Sequence, residues 1–287
     1  MLSKEVCLVC NKNRFKVKWK AKKHHPTYYS CMNCGLVFAH PQVEKNAKRA
    51  SMRPFTKDEY DARFKNFELR YKKIERYLPN KSPKVLDIGC YDCVFLNYMK
   101  EKGCQVLGVE PASECVRYGK ENFGLDIING FFEDQNIEQK YDLITMFNVL
   151  EHAKRPKETL VKTHSLLEKD GLLVLELPYI YTPQSFLSFG FWHHFEIDHN
   201  WFFSKNAIKC LLEKVGFQVI SISFIPKVVC LSRLLDGLLT RTAYMYIKRD
   251  TYLKFRSSSF YRFLNKAEIK INIMDYLFVI AKKLAHN

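Results

Sequence analysis

Val85-Leu86-Asp87-Ile88-Gly89-Cys90-Tyr91-Asp92-Cys93 is the stretch on which the fold turns. A short apolar run ends in an acid and a glycine, and a helical pattern follows from Val94 to about Lys102. A buried strand turns into a helix in this way, with a small residue where a ligand approaches the backbone. Val106–Val109 repeats the apolar run, and Gly108-Val109-Glu110 closes it. An acid ending the second strand can hold both hydroxyls of a ribose. The plainer alternative is an ordinary strand-terminal glutamate.

Outward from this turn the pattern continues. Asp126–Ile128, Tyr141–Phe147 and Leu172–Leu177 read as strands, and Gln218–Phe224 as a closing one. Ser113–Asn122, Pro156–Leu167 and Lys205–Val215 read as helices. Such alternation predicts a mostly parallel sheet with helices on both faces and ligands outside the carboxyl ends of its strands. Upstream, Tyr60, Phe64, Phe67, Tyr71 and Ile74 form one apolar stripe on a helix over 58–78, which we assign to the flank of this sheet.

At the N-terminus, Cys7-Leu8-Val9-Cys10 and Cys31-Met32-Asn33-Cys34-Gly35 carry four thiols in two tight turns. That spacing suits one structural Zn²⁺ with every ligand position filled by protein, so Cys7, Cys10, Cys31 and Cys34 are the expected metal ligands. Two disulfides or plain buried cysteines are the alternative. Between the pairs, Phe15, Val17 and Trp19 alternate within the basic stretch Lys12–Lys23. This is either the edge strand of a zinc ribbon with a charged outer face, or a nucleic-acid surface that includes Lys16, Lys18 and Lys20.

The segments VLDIGCYDCVFL, LGVEPASECVRYGKEN, NGFFEDQ, YDLITMFNVLEHAKRP, GLLVLELP and DHNWFFSKNAIKCLLEKVGF resemble, in order and spacing, the class I S-adenosylmethionine (SAM)-dependent methyltransferases. The likeness covers 84–224. NIMDYLFVIAKK is similar to that family's last strand, which inserts antiparallel into the sheet, and the double CxxC start resembles a subgroup that methylates sugars or nucleotide-linked sugars. The resemblance implies an α/β, Rossmann-like, seven-stranded sheet with SAM as cofactor. It places Asp87, Gly89 and Cys90 by the methionine part and Glu110 on the ribose. It sets Phe132 and Glu133 beside the adenine, and Asn148, Leu150, Glu151 and His152 at the junction with substrate. Where the family has glycines, this chain has Tyr91 and Cys93, which would be strained if those positions need a positive φ. We read Cys90 and Cys93 as an accidental third CxxC.

Transfer to a hydroxyl needs a general base, and histidine suits neutral pH. His193-His194-Phe195-Glu196-Ile197-Asp198-His199 is the richest titratable cluster of the chain. Asp198-His199 resembles the acid–histidine pair that precedes the Phe-Ser motif in sugar C-methyltransferases. We expect His199 as the base, Asp198 orienting it, His194 and Glu196 as second choices, and His152 as a wall of the pocket. The alternative for the loop is packing and helix capping alone.

The net charge of +16 is uneven: residues 1–75 hold 18 Lys and Arg against 7 Asp and Glu, and residues 241–287 hold 10 against 3. Basic ends suit anionic partners, or reflect only solvated lysines. Val229, Leu231, Leu234, Leu235, Leu238 and Leu239 are compatible with an amphipathic helix, and Tyr244–Lys254 and Tyr261–Lys270 mix aromatics with cations. We expect 226–271 to be a helical insertion acting as a lid or homodimer contact, with peripheral membrane contact as the alternative. The expected division is a zinc module over 1–45, a SAM-binding core over 46–225, the insertion, and a last strand with tail over 272–287. Scattered cysteines without a leader or an apolar run of membrane length suggest a cytoplasmic protein. The expected activity is methyl transfer to a sugar-type small molecule. The alternatives are RNA methylation or a non-catalytic zinc-stabilised binding protein.

Overall fold

The computed structural model describes residues 5–20, 26–43, 57–187, 192, 194–195, 197–232, 235, 255, 258–272 and 274–284. By compactness the chain divides into two units: one of Met1–Met52, Ile74–Phe224 and Met274–Asn287, the other of Arg53–Lys73 and Ile225–Ile273. This differs from the four expected segments, since the helix assigned to the sheet's flank groups with the insertion.

The first unit begins with β1 (Phe15–Trp19), β2 (Thr27–Cys31) and β3 (Val37–His40), an antiparallel meander. The sheet that follows has seven strands: β4 (Lys84–Ile88), β5 (Gln105–Glu110), β6 (Ile127–Asn129), β7 (Tyr141–Phe147), β8 (Leu167–Pro178), β10 (Phe217–Phe224) and β13 (Tyr276–Lys283). Their order is β10-β13-β8-β7-β4-β5-β6, and β13 inserts antiparallel between β10 and β8. The parallel strands are apolar on both faces because helices cover both. Leu86, Ile144 and Leu173 are fully buried. The crossovers are α2 (Val94–Glu101), α3 (Ser113–Phe123), α4 (Pro156–Leu166) and α6 (Lys205–Val215). The expected boundaries agree within about two residues, except that β8 starts at Leu167, five residues early. The short α5 (Pro183–Leu187) lies in the loop after β8.

One connection had no counterpart in the sequence pattern. The two-residue β9 (Trp201–Phe202) pairs antiparallel with β3, with Val37 opposite Phe202 and Phe38 opposite Trp201. The cysteine-bearing meander is therefore a four-stranded sheet, β1-β2-β3-β9, whose last strand belongs to the methyltransferase-like region. Ser204 ties the two again. Its Oγ accepts from the Ala207 N–H to cap α6 and donates to the Cys34 carbonyl at 2.6 Å. Gly35, at φ +75°, sits so close to Ser204 and Tyr181 that a Cβ there would lie 3.1 Å from the Ser204 side chain. A residue without a side chain is favoured on both counts.

The second unit holds α1 (Lys57–Ile74, but for its last residue), α7 (Ser259–Lys266) and a two-stranded antiparallel sheet of β11 (Lys227–Cys230) and β12 (Glu268–Ile271). The insertion is thus not wholly helical. Val229, expected in a helix, lies with Val228 in a strand, as β-branched residues favour. Asn66 of α1 binds both backbone groups of Val228, accepting from its N–H and donating to its carbonyl, each at 2.8 Å. His193, Glu196, 244–254, 44–54 and most of the expected 229–239 helix lie outside the described residues. Among the described residues no helix is long and apolar enough to cross a membrane.

Candidate functional site

A cleft of about 610 Å³ opens at the carboxyl ends of the parallel strands. Gly89, Phe132, Glu133 and His152 line it, together with Gln42, Val43, Val149, Thr159, Lys162 and Asn200. Asp87, Cys90, Glu110 and Asn148 are not among the residues lining it, and stand just behind.

Asp87 closes β4 fully buried, accepting a hydrogen bond from Thr145 Oγ1 at 2.6 Å. Burial pushes its carboxyl up to about 7, against the Thr145 bond and with help from Asp92 and Glu110. Glu110 accepts the Tyr91 N–H on one carboxylate oxygen at 3.0 Å and the Ala112 N–H on the other at 2.8 Å. A carboxylate offers about four lone-pair positions, so both oxygens keep capacity for ribose hydroxyls. Cys90 packs under the loop near Gly108. Asn148 takes a left-handed φ of 58° and donates its N–H to the Glu176 carbonyl.

The two departures from glycine do adopt the glycine conformation. Tyr91 has φ 39° and Cys93 φ 61°. That costs strain, yet neither side chain lines the cleft. Tyr91 is 39% exposed, and Cys93 is fully buried, its sulfur and Cβ pressed against Gly119 of α3. A Cβ on Gly119 would come within 2.6 Å of that sulfur, so space opposite Cys93 is made by removing a side chain from the helix. Gly89 is itself indispensable: at φ +73° a Cβ would meet Val149 at 2.5 Å.

Phe132 and Glu133 lie on a single 3-10 turn, Phe132–Asp134. Lys162 of α4 stands over the Phe132 ring at 4.8 Å and donates to the carbonyls of Phe132, Glu133 and Gln135. Thr159 donates to the Glu133 carboxylate at 3.1 Å. Helix α4 thus fixes this turn, a role that nothing in the pattern of α4 announced.

Among the described histidines, His152 is the one that lines the cleft, and Asp198 lies against it: His152 Nδ1 is 3.0 Å from the Asp198 carbonyl oxygen and 3.6 Å from its carboxylate. A carbonyl only accepts, so Nδ1 carries the proton and the imidazole lone pair is on Nε2. His199 is 5% exposed and stands edge-on to His152 with ring centroids 4.5 Å apart. It does not line the cleft. His194 is buried beside Asp275, 3.5 Å away, and is packed between Trp192 and Tyr276.

Asn200, which no motif singles out, fastens this part of the site. Its side-chain amide accepts the Val43 N–H and donates to the Val43 carbonyl, both at 2.9 Å. Its own N–H donates to the Glu151 carbonyl at 2.8 Å, and its carbonyl accepts from Ala39 at 2.9 Å. Tyr28 of β2 donates to the His199 carbonyl at 3.1 Å, and Trp201 Nε1 donates to the Ala153 carbonyl at 2.7 Å. Every one of these bonds joins 198–201 either to the meander and its exit or to the turn bearing His152.

The four N-terminal sulfurs lie within 4.8 Å of one another, with Cys7–Cys34 and Cys10–Cys31 each at 3.5 Å. A tetrahedral Zn²⁺ with bonds near 2.3 Å sets sulfurs roughly 3.8 Å apart, so the donor set fits that ion. Cys7 is lowered to about 5 by the hydrogen bond from Cys34, while Cys34 is raised by the same contact.

The profile of a methyltransferase-domain family matches residues 60–222, more than half of the chain. The chain belongs to this methyltransferase family. Its curated relatives include the ubiquinone biosynthesis O-methyltransferases of Glaesserella parasuis and Actinobacillus pleuropneumoniae. The first is 28% identical over 103 residues, 32% of this chain and 44% of the relative. The second is 32% identical over 102 residues, 31% of this chain and 43% of the relative. The chain thus spans less than half the length of these relatives. Among solved structures, a SAM-dependent methyltransferase from Archaeoglobus fulgidus superposes with a TM-score of 0.50 at 21% identity, covering 78% of this chain and 98% of that one. The YcgJ protein of Bacillus subtilis gives 0.51 at 16%, covering 76% and 99%. At these identities the likeness is one of fold. The two curated relatives are named for quinone biosynthesis and not for sugars.

Proposed function

We propose that this methyltransferase transfers the methyl group of SAM to a hydroxyl oxygen of a small molecule, with His152 as the base and the four-cysteine module holding a structural Zn²⁺. The observation that carries this reading is the contact of Asp198 with His152, which lines the cleft. Bound SAM supplies an electrophilic methyl carbon. Glu110 would hold the ribose, Phe132 and Glu133 would flank the adenine, and Asp87 would lie near the cationic methionine part. His152 would take the acceptor's hydroxyl proton on Nε2 as that oxygen displaces the sulfur from the methyl carbon, the S–CH3 electron pair leaving with neutral S-adenosylhomocysteine, and Asp198 would steady the resulting imidazolium. Such a base is worth about 10²–10⁴-fold, with positioning supplying much of the rest.

For the acceptor we infer a sugar or nucleotide-linked sugar, supported by the resemblance of the double-CxxC-plus-core order to that subgroup. A phenolic hydroxyl is the second reading, favoured by the names of the relatives. Transfer of radiolabelled methyl from SAM to a panel of nucleotide sugars and a panel of catechols decides between them. Label in the sugar panel alone supports the first reading. Label in the catechols alone replaces it, and label in neither, with SAM bound, rejects both. Zinc analysis of freshly purified protein should give about one ion per chain; its absence removes the metal from the proposal.

A further inference from the structure

The second unit carries a feature that methyl transfer does not use. Arg53–Lys73 holds 7 Lys and Arg against 4 Asp and Glu, and Ile225–Ile273 holds 10 against 3. A quarter of the chain therefore carries more than half of its net charge of +16. Two of those few acids are already neutralised: Glu268 pairs with Lys65 at 2.6 Å and Glu68 with Lys72 at 2.8 Å.

On this basic unit, α7 is apolar on two sides. Tyr261 points inward and is 6% exposed, with the Ser258 hydroxyl capping the helix at its N–H. Phe260 and Phe263, one turn apart, point outward and are 59% and 67% exposed. Lys266, in the last turn of the same helix, and Lys270, on β12, are exposed as well. Two phenyl rings more than half exposed, on a unit with 17 cations against 7 acids, are an apolar surface that a partner can cover. A second copy of the unit would bring like charge against like charge. A bilayer with anionic headgroups meets both requirements at once, since phenyl rings enter the acyl boundary while lysines stay at the phosphates.

We propose that the face of α7 bearing Phe260 and Phe263 is a docking surface for an anionic phospholipid membrane. The test is co-sedimentation of the full chain with vesicles of phosphatidylcholine containing a third phosphatidylglycerol, compared with phosphatidylcholine alone. Binding to the anionic vesicles should be strong, weaken in 1 M salt, and fall about tenfold or more in the Phe260→Ser, Phe263→Ser double variant. Lys266→Glu with Lys270→Glu should weaken it with the rings intact. SAM affinity and melting temperature, unchanged in both variants, show that folding is preserved. Equal binding by wild type and the phenylalanine variant overturns the proposal, as does failure of the wild type to bind. So does a dimer in sedimentation velocity, or binding of a single-stranded RNA, that depends on these two rings in place of the vesicles.

Discussion

The two ends of the cleft are built on different plans. The proposed cofactor end is made of residues at the ends of consecutive strands of one parallel sheet: Asp87 on β4, Glu110 on β5 and the Phe132 turn after β6. The proposed acceptor end is assembled from three distant pieces, Gln42–Val43, His152–Arg155 and Asn200, fastened by hydrogen bonds between them. The first plan depends on the sheet, which forms from nearby strands. The second depends on the four-cysteine module staying folded. Damage to the module should therefore reach chemistry while sparing SAM.

The largest effect tests that separation outright. Replacing Cys31 and Cys34 by serine should take methyl transfer to background, because β3 would lose its footing under β9 and Asn200. SAM affinity by calorimetry should change less than about threefold, because the proposed SAM contacts Asp87, Gly89, Glu110 and the Phe132 turn all lie on the seven-stranded sheet or in its loops. Parallel loss of both would merge the two ends into one cooperative whole.

Next comes the choice of base. His152→Ala should lower kcat by about 10²–10⁴-fold with SAM binding intact. His199→Ala should cost far less, acting only through the packing of His152. The reverse ranking would return the role to His199, to which the sequence motif points.

Asn200→Ala is expected to lower kcat/KM by about ten- to a hundredfold through misplacement of 198–200 against the His152 turn. Asn200→Asp keeps the acceptor for the Val43 N–H but loses the donor to its carbonyl, and should fall between. Hydrogen exchange at 39–43 should rise in step with each loss.

The smallest effect lies at the cofactor end. Asp87 is raised to about 7, so only the folded chain keeps its proton between about 3.9 and 7. Without ligand, its contribution to stability is fully present below that window and is lost as pH rises through it. Cationic SAM prefers the carboxylate, so its affinity should climb by about tenfold or less from pH 6 to 8 and then level off. Asp87→Asn should give a flat profile; an unchanged slope would exclude Asp87 as the source.

This contrast also explains what could be read in advance. β4, β5 and β7 declared themselves as apolar runs ending in Asp87, Glu110 and the Asn148 turn, because buried parallel strands leave a local signature. β9 is two residues long and has no periodicity to detect. Asp198 stands beside His199 in sequence, but the chain turns so that it meets a histidine 46 positions earlier. Asn200 has no signature at all, since its value comes from the backbone of Val43. The exceptional conformations of Tyr91 and Cys93 were foreseeable as a strain. That Cys93 finds its room against a glycine on α3 was not, because the relief sits on another element.

The pairing of Val37 with Phe202 has a consequence for how the molecule is made. When β3 leaves the ribosome, its partner has not been translated, and most of the seven-stranded sheet must be polymerised before that strand edge can be covered. Until then a nascent fragment ending anywhere before residue 201 presents a sticky border to its neighbours, so truncated products should clump even when their cysteines are saturated with metal.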